Sequence, residues 1–381
     1  MKNLRIGLGN VLALALFAGL AMLLITMFAN STSGLATLKP MAKATATPDG
    51  QISPLPTPLP TVPPVQIGPP QLLRASGQVG LSSIGGDKFI GIIGNRDVAY
   101  TALLDPTTGA ERKLVDGILM NPRISDHWLV YEDHISKGST LSYSRIKVID
   151  LATDTNATLG GEDANQQLPD VSSNMVVWID WRNRKSSDVD IYGYDLTTGK
   201  EFPVVTRPGP NSNPKISGQW VVYVEPVNQS PAIVDLRAHS LETGDDFSIG
   251  FIPATLDSWS GTRYRIDGDK VAWTKNEASG QYALHLYDLT LRTDRTLTEP
   301  SIWPLAGISL SAKNGVALYN DAGRRILLDW LQPTPTPISV TLPAKTPWGY
   351  ELYLSADHLI WWVALNRDLI ENQVFVARIT R

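Results

Sequence analysis

Cysteine is absent from the 381 residues. That absence excludes disulfides, thiolate metal sites, cysteine nucleophiles and a lipidated amino-terminal cysteine together. Clustered positive charge is missing too: Lys and Arg are scattered through a chain of net charge -4, so nothing offers a nucleic-acid surface. Histidine is scarce, with only His127, His134, His239, His285 and His358. Metal centres and catalytic bases need two or three such side chains to converge, and these are spread along the sequence. No metal and no cofactor is therefore expected.

What the chain has is first an apolar, uncharged run over 6–29, preceded by Lys2 and Arg5. A helix of that length covers a hydrocarbon core about 30 Å thick. The basic residues in front place 1–5 in the cytoplasm and the remainder outside it. A cleaved signal peptide is the competing reading, but its apolar region is usually about 7 to 15 residues long. Residues 30–70 are rich in Pro and Thr, as in Ile52-Ser-Pro-Leu-Pro-Thr-Pro-Leu-Pro-Thr-Val-Pro-Pro64. Such composition cannot offset the cost of ordering, and it reads as a disordered stalk.

From residue 71 onward the sequence repeats. One phrase is clearest as Val171-Ser-Ser-Asn-Met-Val-Val-Trp178 and Ile216-Ser-Gly-Gln-Trp-Val-Val-Tyr223. Its third position falls at Gly86, Asp126, Ser173, Gly218, Gly268, Ala312 and Ala356, giving gaps of 40, 47, 45, 50, 44 and 44 residues. A second phrase follows each copy, as in Asp195-Leu-Thr-Thr-Gly199, where Gly or Asp tolerates a positive φ. Short strands and turns repeating every 40 to 50 residues predict an all-β propeller of seven four-stranded blades, with six as the alternative. Strand a ends in the first phrase, b is the Val-Val-Trp run, c precedes the Asp-Leu-Thr-Thr-Gly turn, and d follows it. The last unit runs out of chain before its strand d, and 71–76 is expected to supply it, leaving no exposed edge.

The phrases Asn213-Pro-Lys-Ile-Ser-Gly-Gln-Trp-Val-Val-Tyr223 and Asp188-Val-Asp-Ile-Tyr-Gly-Tyr-Asp-Leu-Thr-Thr-Gly199 closely resemble the repeats of TolB-like (WD40-like) β-propellers of bacterial exported and cell-surface proteins. The resemblance implies a propeller used for contact with a protein or a polymer. Its motif residues are structural, so it carries no catalytic residue over.

Candidate ligand contacts are sought where the repeat is broken. Trp178, Trp273 and Trp361 share the phrase's eighth position and read as packing between blades. Trp181, Trp259, Trp303 and Trp348 break phase, and all fall in b-to-c or d-to-a connections, which share one face. Glu132, Asp133, Arg182, Arg184, Glu225, Arg263 and Tyr264 lie in connections of the same class. Aromatic rings beside charged groups on an exposed rim suit a peptide or a glycan. The expected partner is thus an exported or surface protein, or an envelope glycan. The alternative is a glycan hydrolase or lyase using Glu132, Asp133, Asp180 or Glu225, which needs two carboxyls about 5 to 10 Å apart across a cleft. No Gly-x-Ser-x-Gly elbow is present for a serine hydrolase.

Overall fold

The computed structural model describes residues 62–381 apart from 75–78, 86–87, 95–97, 138–140, 162–164, 184–187, 228–229, 254–262, 278, 303–304, 322–323, 341–349 and 365–371. The expected membrane helix and most of the expected stalk lie outside the described residues. Two short strands come first, β1 (Gln66–Ile67) and β2 (Gln71–Arg74). Six four-stranded antiparallel sheets follow in chain order. Blade one is β3 (Val79–Gly85), β4 (Lys88–Gly94), β5 (Ala99–Leu104) and β6 (Glu111–Asp116). Blade two is β7 (Met120–Ser125), β8 (Trp128–Lys137), β9 (Leu141–Asp150) and β10 (Thr155–Leu159). Blade three is β11 (Gln166–Ser172), β12 (Met175–Asp180), β13 (Asp190–Asp195) and β14 (Lys200–Val205). Blade four is β15 (Ser212–Ser217), β16 (Trp220–Val227), β17 (Ser230–Ser240) and β18 (Asp246–Pro253). Blade five is β19 (Tyr264–Asp267), β20 (Lys270–Asn276), β21 (Tyr282–Asp288) and β22 (Thr293–Thr296). Blade six is β23 (Ala306–Ser311), β24 (Val316–Asp321), β25 (Arg324–Asp329) and β26 (Thr336–Ile338).

Blade seven contains β27 (Tyr350–Leu354), β28 (His358–Ala364) and β29 (Asn372–Thr380), and both β1 and β2 pair antiparallel with β29. The ring therefore has seven blades, and the last is completed by the segment that precedes the first. The outer strand is longer than composition suggests. It begins at Gln66 opposite Thr380, breaks at Gly68-Pro-Pro70, and resumes at Gln71 opposite Val376. Residues 62–67, read as stalk because of their prolines, instead pack on blades six and seven. Val65 is 7% exposed in the core that blades six and seven share, and its N–H donates to the Asp329 carboxylate at 3.2 Å. Arg381 ties the same corner, donating to Asp329 at 2.5 Å, to the Asn314 carbonyl at 2.7 Å and to the Pro63 carbonyl at 2.6 Å.

The phrase residues build this architecture. Position three takes a left-handed conformation in two-residue a–b turns, with φ of 52° at Asp126, 49° at Ser173, 56° at Gly218 and 60° at Gly268. Turns of that hand match the twist of the strands they join. The residue before it links neighbours: Ser125, Ser172 and Ser217 each accept from the turn amide of the next blade, at 3.0, 3.0 and 2.8 Å. Position eight fills the gaps between sheets. Trp178, Trp273, Trp361 and Tyr223 are all fully buried, each in a core shared by two adjacent blades. Beneath Trp273 the preceding blade must be bare: a Cβ on Gly250 would stand 2.6 Å from the indole, and its φ of 156° disfavours any other residue. Blade one meets blade seven through Phe89, Ile93 and Ala102 against Ile360, Val374 and Val376.

Candidate functional site

Because each a–b and c–d turn lies on one face, the b–c and d–a connections share the other. On that face the blades are unequal. The b–c hairpins of blades two and four continue to Lys137/Leu141 and Val227/Ser230, whereas β12 and β13 of blade three stop at Asp180/Asp190. The blade-three connection after β12 carries Trp181 and Arg182. Glu132, Asp133 and Glu225, expected in loops, lie on extended strands β8 and β16.

The carboxylates here are committed to the ring. Glu132 is 5% exposed and accepts from Asn121 Nδ2 at 2.7 Å and from the Leu168 N–H of blade three at 2.6 Å. Both donors belong to residues with left-handed backbones, φ 46° and 52°. That conformation is strained for a bulky Leu, and the carboxylate secures it. The second oxygen meets His134 at 3.1 Å, and this hydrogen bond raises the imidazole pKa against the opposing effect of burial. Asp133 pairs with Lys147 at 2.9 Å and Glu225 with Arg207 at 2.9 Å.

Arg182 is likewise held. Its guanidinium forks onto the fully buried Asp180 at 2.9 and 2.7 Å, reaches Glu201 at 2.6 Å, and lies 3.8 Å from the centre of the Tyr192 ring. Burial pushes the Asp180 carboxyl up, but the hydrogen bonds from Arg182 and Trp178 outweigh it and hold the pKa below the usual value. Arg263 and Tyr264, expected on the rim, are interior residues, 3% and 0% exposed. Arg263 donates to the Leu305 carbonyl of the blade-six side at 3.1 Å, and the Tyr264 hydroxyl donates to the Asn213 carbonyl of blade four. Trp181 is half-buried, and its indole N–H has no hydrogen-bond partner among the described residues. Arg184, Trp259, Trp303 and Trp348 lie outside the described residues. Among the described residues no three His, Asp or Glu side chains are grouped to hold a metal ion.

A second cluster, of residues not among the rim candidates, sits on the inner strands. Arg123, Asp170, Lys215 and Arg265 occupy one register position, each on strand a opposite the seventh residue of the first phrase on strand b. Strands a contact one another in succession from β3 to β27, so this position encircles the axis. Lys215 is 2% exposed, and its ammonium donates only to Asn213 Oδ1 and the Pro214 carbonyl, both at 3.1 Å. Asp170 accepts the Ile216 N–H at 2.9 Å and stands 3.8 Å from Arg123 Nε. The signal was present: a charged residue immediately precedes four successive phrases.

No protein-family model matches the chain, and no curated protein matches it. Solved structures similar to it include an oligogalacturonate lyase in complex with manganese, with a TM-score of 0.55 and 12% identity over 84% of this chain and 97% of that one. A prolyl endopeptidase gives a TM-score of 0.56 and 13% identity over 81% of this chain and 50% of that one. TolB from Acinetobacter baumannii gives a TM-score of 0.40 and 17% identity over 61% and 55%. The chain spans about half the length of the endopeptidase and TolB structures. At these identities the likeness shows the fold alone, a seven-bladed propeller with TolB proteins and propeller enzymes among its structural neighbours.

Proposed function

We propose that the chain is a membrane-tethered propeller outside the cytoplasm that binds a protein or an envelope glycan through its b–c and d–a face, without chemistry of its own. The apolar segment 6–29 behind Lys2 and Arg5 supplies the tether, and the Pro-rich segment after it spaces the ring from the bilayer. One observation carries the binding reading. The b–c hairpins of blades two and four, paired to Lys137/Leu141 and Val227/Ser230, flank the blade-three connection, whose strands stop pairing at Asp180/Asp190 and which bears Trp181. Extended strand ends on both sides of a half-buried aromatic side chain offer a ligand an edge with apolar contact area.

The described carboxylates of the same face favour binding over acid–base chemistry. Glu132, Asp133, Asp180 and Glu225 are each engaged by a cation, an amide or both, and a fold shared with enzymes does not transfer their reactions. Incubated with a panel of envelope polysaccharides and oligogalacturonate, the full chain is expected to release no new reducing ends and no unsaturated products. Turnover that disappears in Asp133→Asn or Glu225→Gln would establish the hydrolase or lyase alternative instead.

A further inference from the structure

The inner cluster is electrostatically incomplete. Three cationic side chains, Arg123, Lys215 and Arg265, share a single carboxylate, Asp170, at one level of the ring. They come from four successive blades, two to five, at the same register position. Arg265 feels both Arg123 and Asp170, which belong to blades two and three positions away. The shared register position on the inner strands and the 3.8 Å approach of Arg123 to Asp170 place the four groups around common space inside the ring. Half-buried Arg265 makes no hydrogen bond or ion pair among the described residues. Arg123 donates from one terminal nitrogen to the Pro122 carbonyl at 2.8 Å, and its buried Nε has no hydrogen-bond partner among the described residues.

Taking cations out of water without matching anions is unfavourable, because their mutual repulsion is weakly screened in a low-dielectric interior. A ring needing only mechanical closure would fill this position with apolar or neutral side chains, as blades six and seven do with Ser309 and Tyr353. Blade one does the same with Ser83. The charge at this position is thus confined to blades two to five. A planar guanidinium with unused donors beside another, and an ammonium close by, is the donor set that oxyanions take.

We infer that the axial cluster is an anion-binding site, in which Arg265 and Arg123 hold the oxygens of a carboxylate or a phosphate and Lys215 supplies charge behind them. This site goes beyond the rim reading and does not depend on it, since it lies on the inner strands and takes a charged group rather than an extended surface. Asp170 has the opposite role: it holds the Ile216 amide and offsets part of the positive field, so it limits affinity for the anion.

The test is calorimetric titration of the full chain with inorganic phosphate and, separately, with succinate, at constant ionic strength set by chloride. Binding of either is expected in the millimolar range or tighter. Arg265→Gln weakens it at least tenfold, whereas Asp170→Asn, which keeps an acceptor for Ile216, tightens it several-fold. Arg292→Gln on the outside, which breaks the exposed Arg292–Asp245 pair at 2.9 Å, leaves it unchanged. Phosphate alone binding assigns a phosphate ester, and succinate alone assigns a carboxylate. Absence of binding for both probes, or equal affinity in wild type, Arg265→Gln and Asp170→Asn, overturns the site. Neither result bears on retention of a polymer by the rim.

Discussion

A chain shortened by removing residues 1–74 is expected to melt roughly 6–10 °C below one that lacks only residues 1–61. The second truncation keeps every described contact of the amino-terminal segment. The first removes β1 and β2, and with them the outer strand of blade seven. Val65 leaves the core shared by blades six and seven, Ile67 leaves its flank, and Leu73 leaves the core between blades seven and one. Losing that burial costs about 4–6 kcal/mol, counting one fully and two partly covered side chains. Asp329, 3% exposed, also loses the Val65 amide, and Arg381 loses the Pro63 carbonyl. The bared edge of β29 then becomes a template for intermolecular pairing, so aggregation should accompany the lower melting point. Calorimetry on the two truncations checks this, and equal melting points would show that the ring closes without its amino-terminal strand.

Lys215→Met is expected to stabilise the ring by about 1–4 kcal/mol at pH 7, the usual gain when an apolar side chain replaces a poorly compensated buried ion. Burial pulls the Lys215 pKa down to about 7, Asp170 resists that fall, and Arg123 and Arg265 add to it. In the unfolded chain a lysine titrates near 10.4. Between those values the unfolded state holds a proton that the folded state lacks, so wild-type stability rises with pH from 7 towards 10. Below pH 7 both states are charged and the penalty is full. The groups facing Lys215 are Asp170, Arg123 and Arg265. Tyr264 couples to Arg265 and Asp170 in the same cluster, and burial pushes its phenol further up. The difference between wild type and Lys215→Met should therefore shrink by about 2 kcal/mol from pH 7 to pH 9. Urea unfolding of both proteins at pH 7, 8 and 9 measures it, and parallel stability curves would mean that Lys215 is charged and well solvated in the fold.

The ring was legible because its determinants are local. A left-handed turn residue, the hydroxyl before it and an aromatic five positions on recur in blades two to four, and the turn and the aromatic also in blade five, each acting on the adjacent blade in the same way. The exact outer strand of blade seven was less legible. A two-residue strand has no period, and Val65 and Ile67 sit among prolines whose composition resembles a linker. Exposure on the long-loop face was hidden for a different reason. Arg182, Arg263, Tyr264 and Glu132 look like rim residues until Asp180, the Leu305 carbonyl, the Asn213 carbonyl and the Leu168 amide come to meet them. Three of those four partners are supplied by a neighbouring blade, at sequence separations of 36 to 51 residues, beyond any local pattern. The axial charges were visible as letters, but their convergence depends on ring closure.

The division of labour is therefore between residues in repeat phase, which build blades, and the out-of-phase tryptophans proposed to recognise a ligand. Its most direct test is retention of defined envelope glycans and purified surface proteins by the immobilised full chain, compared with a Trp181→Ala, Trp259→Ala and Trp303→Ala triple variant whose melting point matches wild type. The account predicts a ligand held by wild type and at least tenfold weaker binding by the variant. Equal retention by both proteins would contradict it and move recognition off this face.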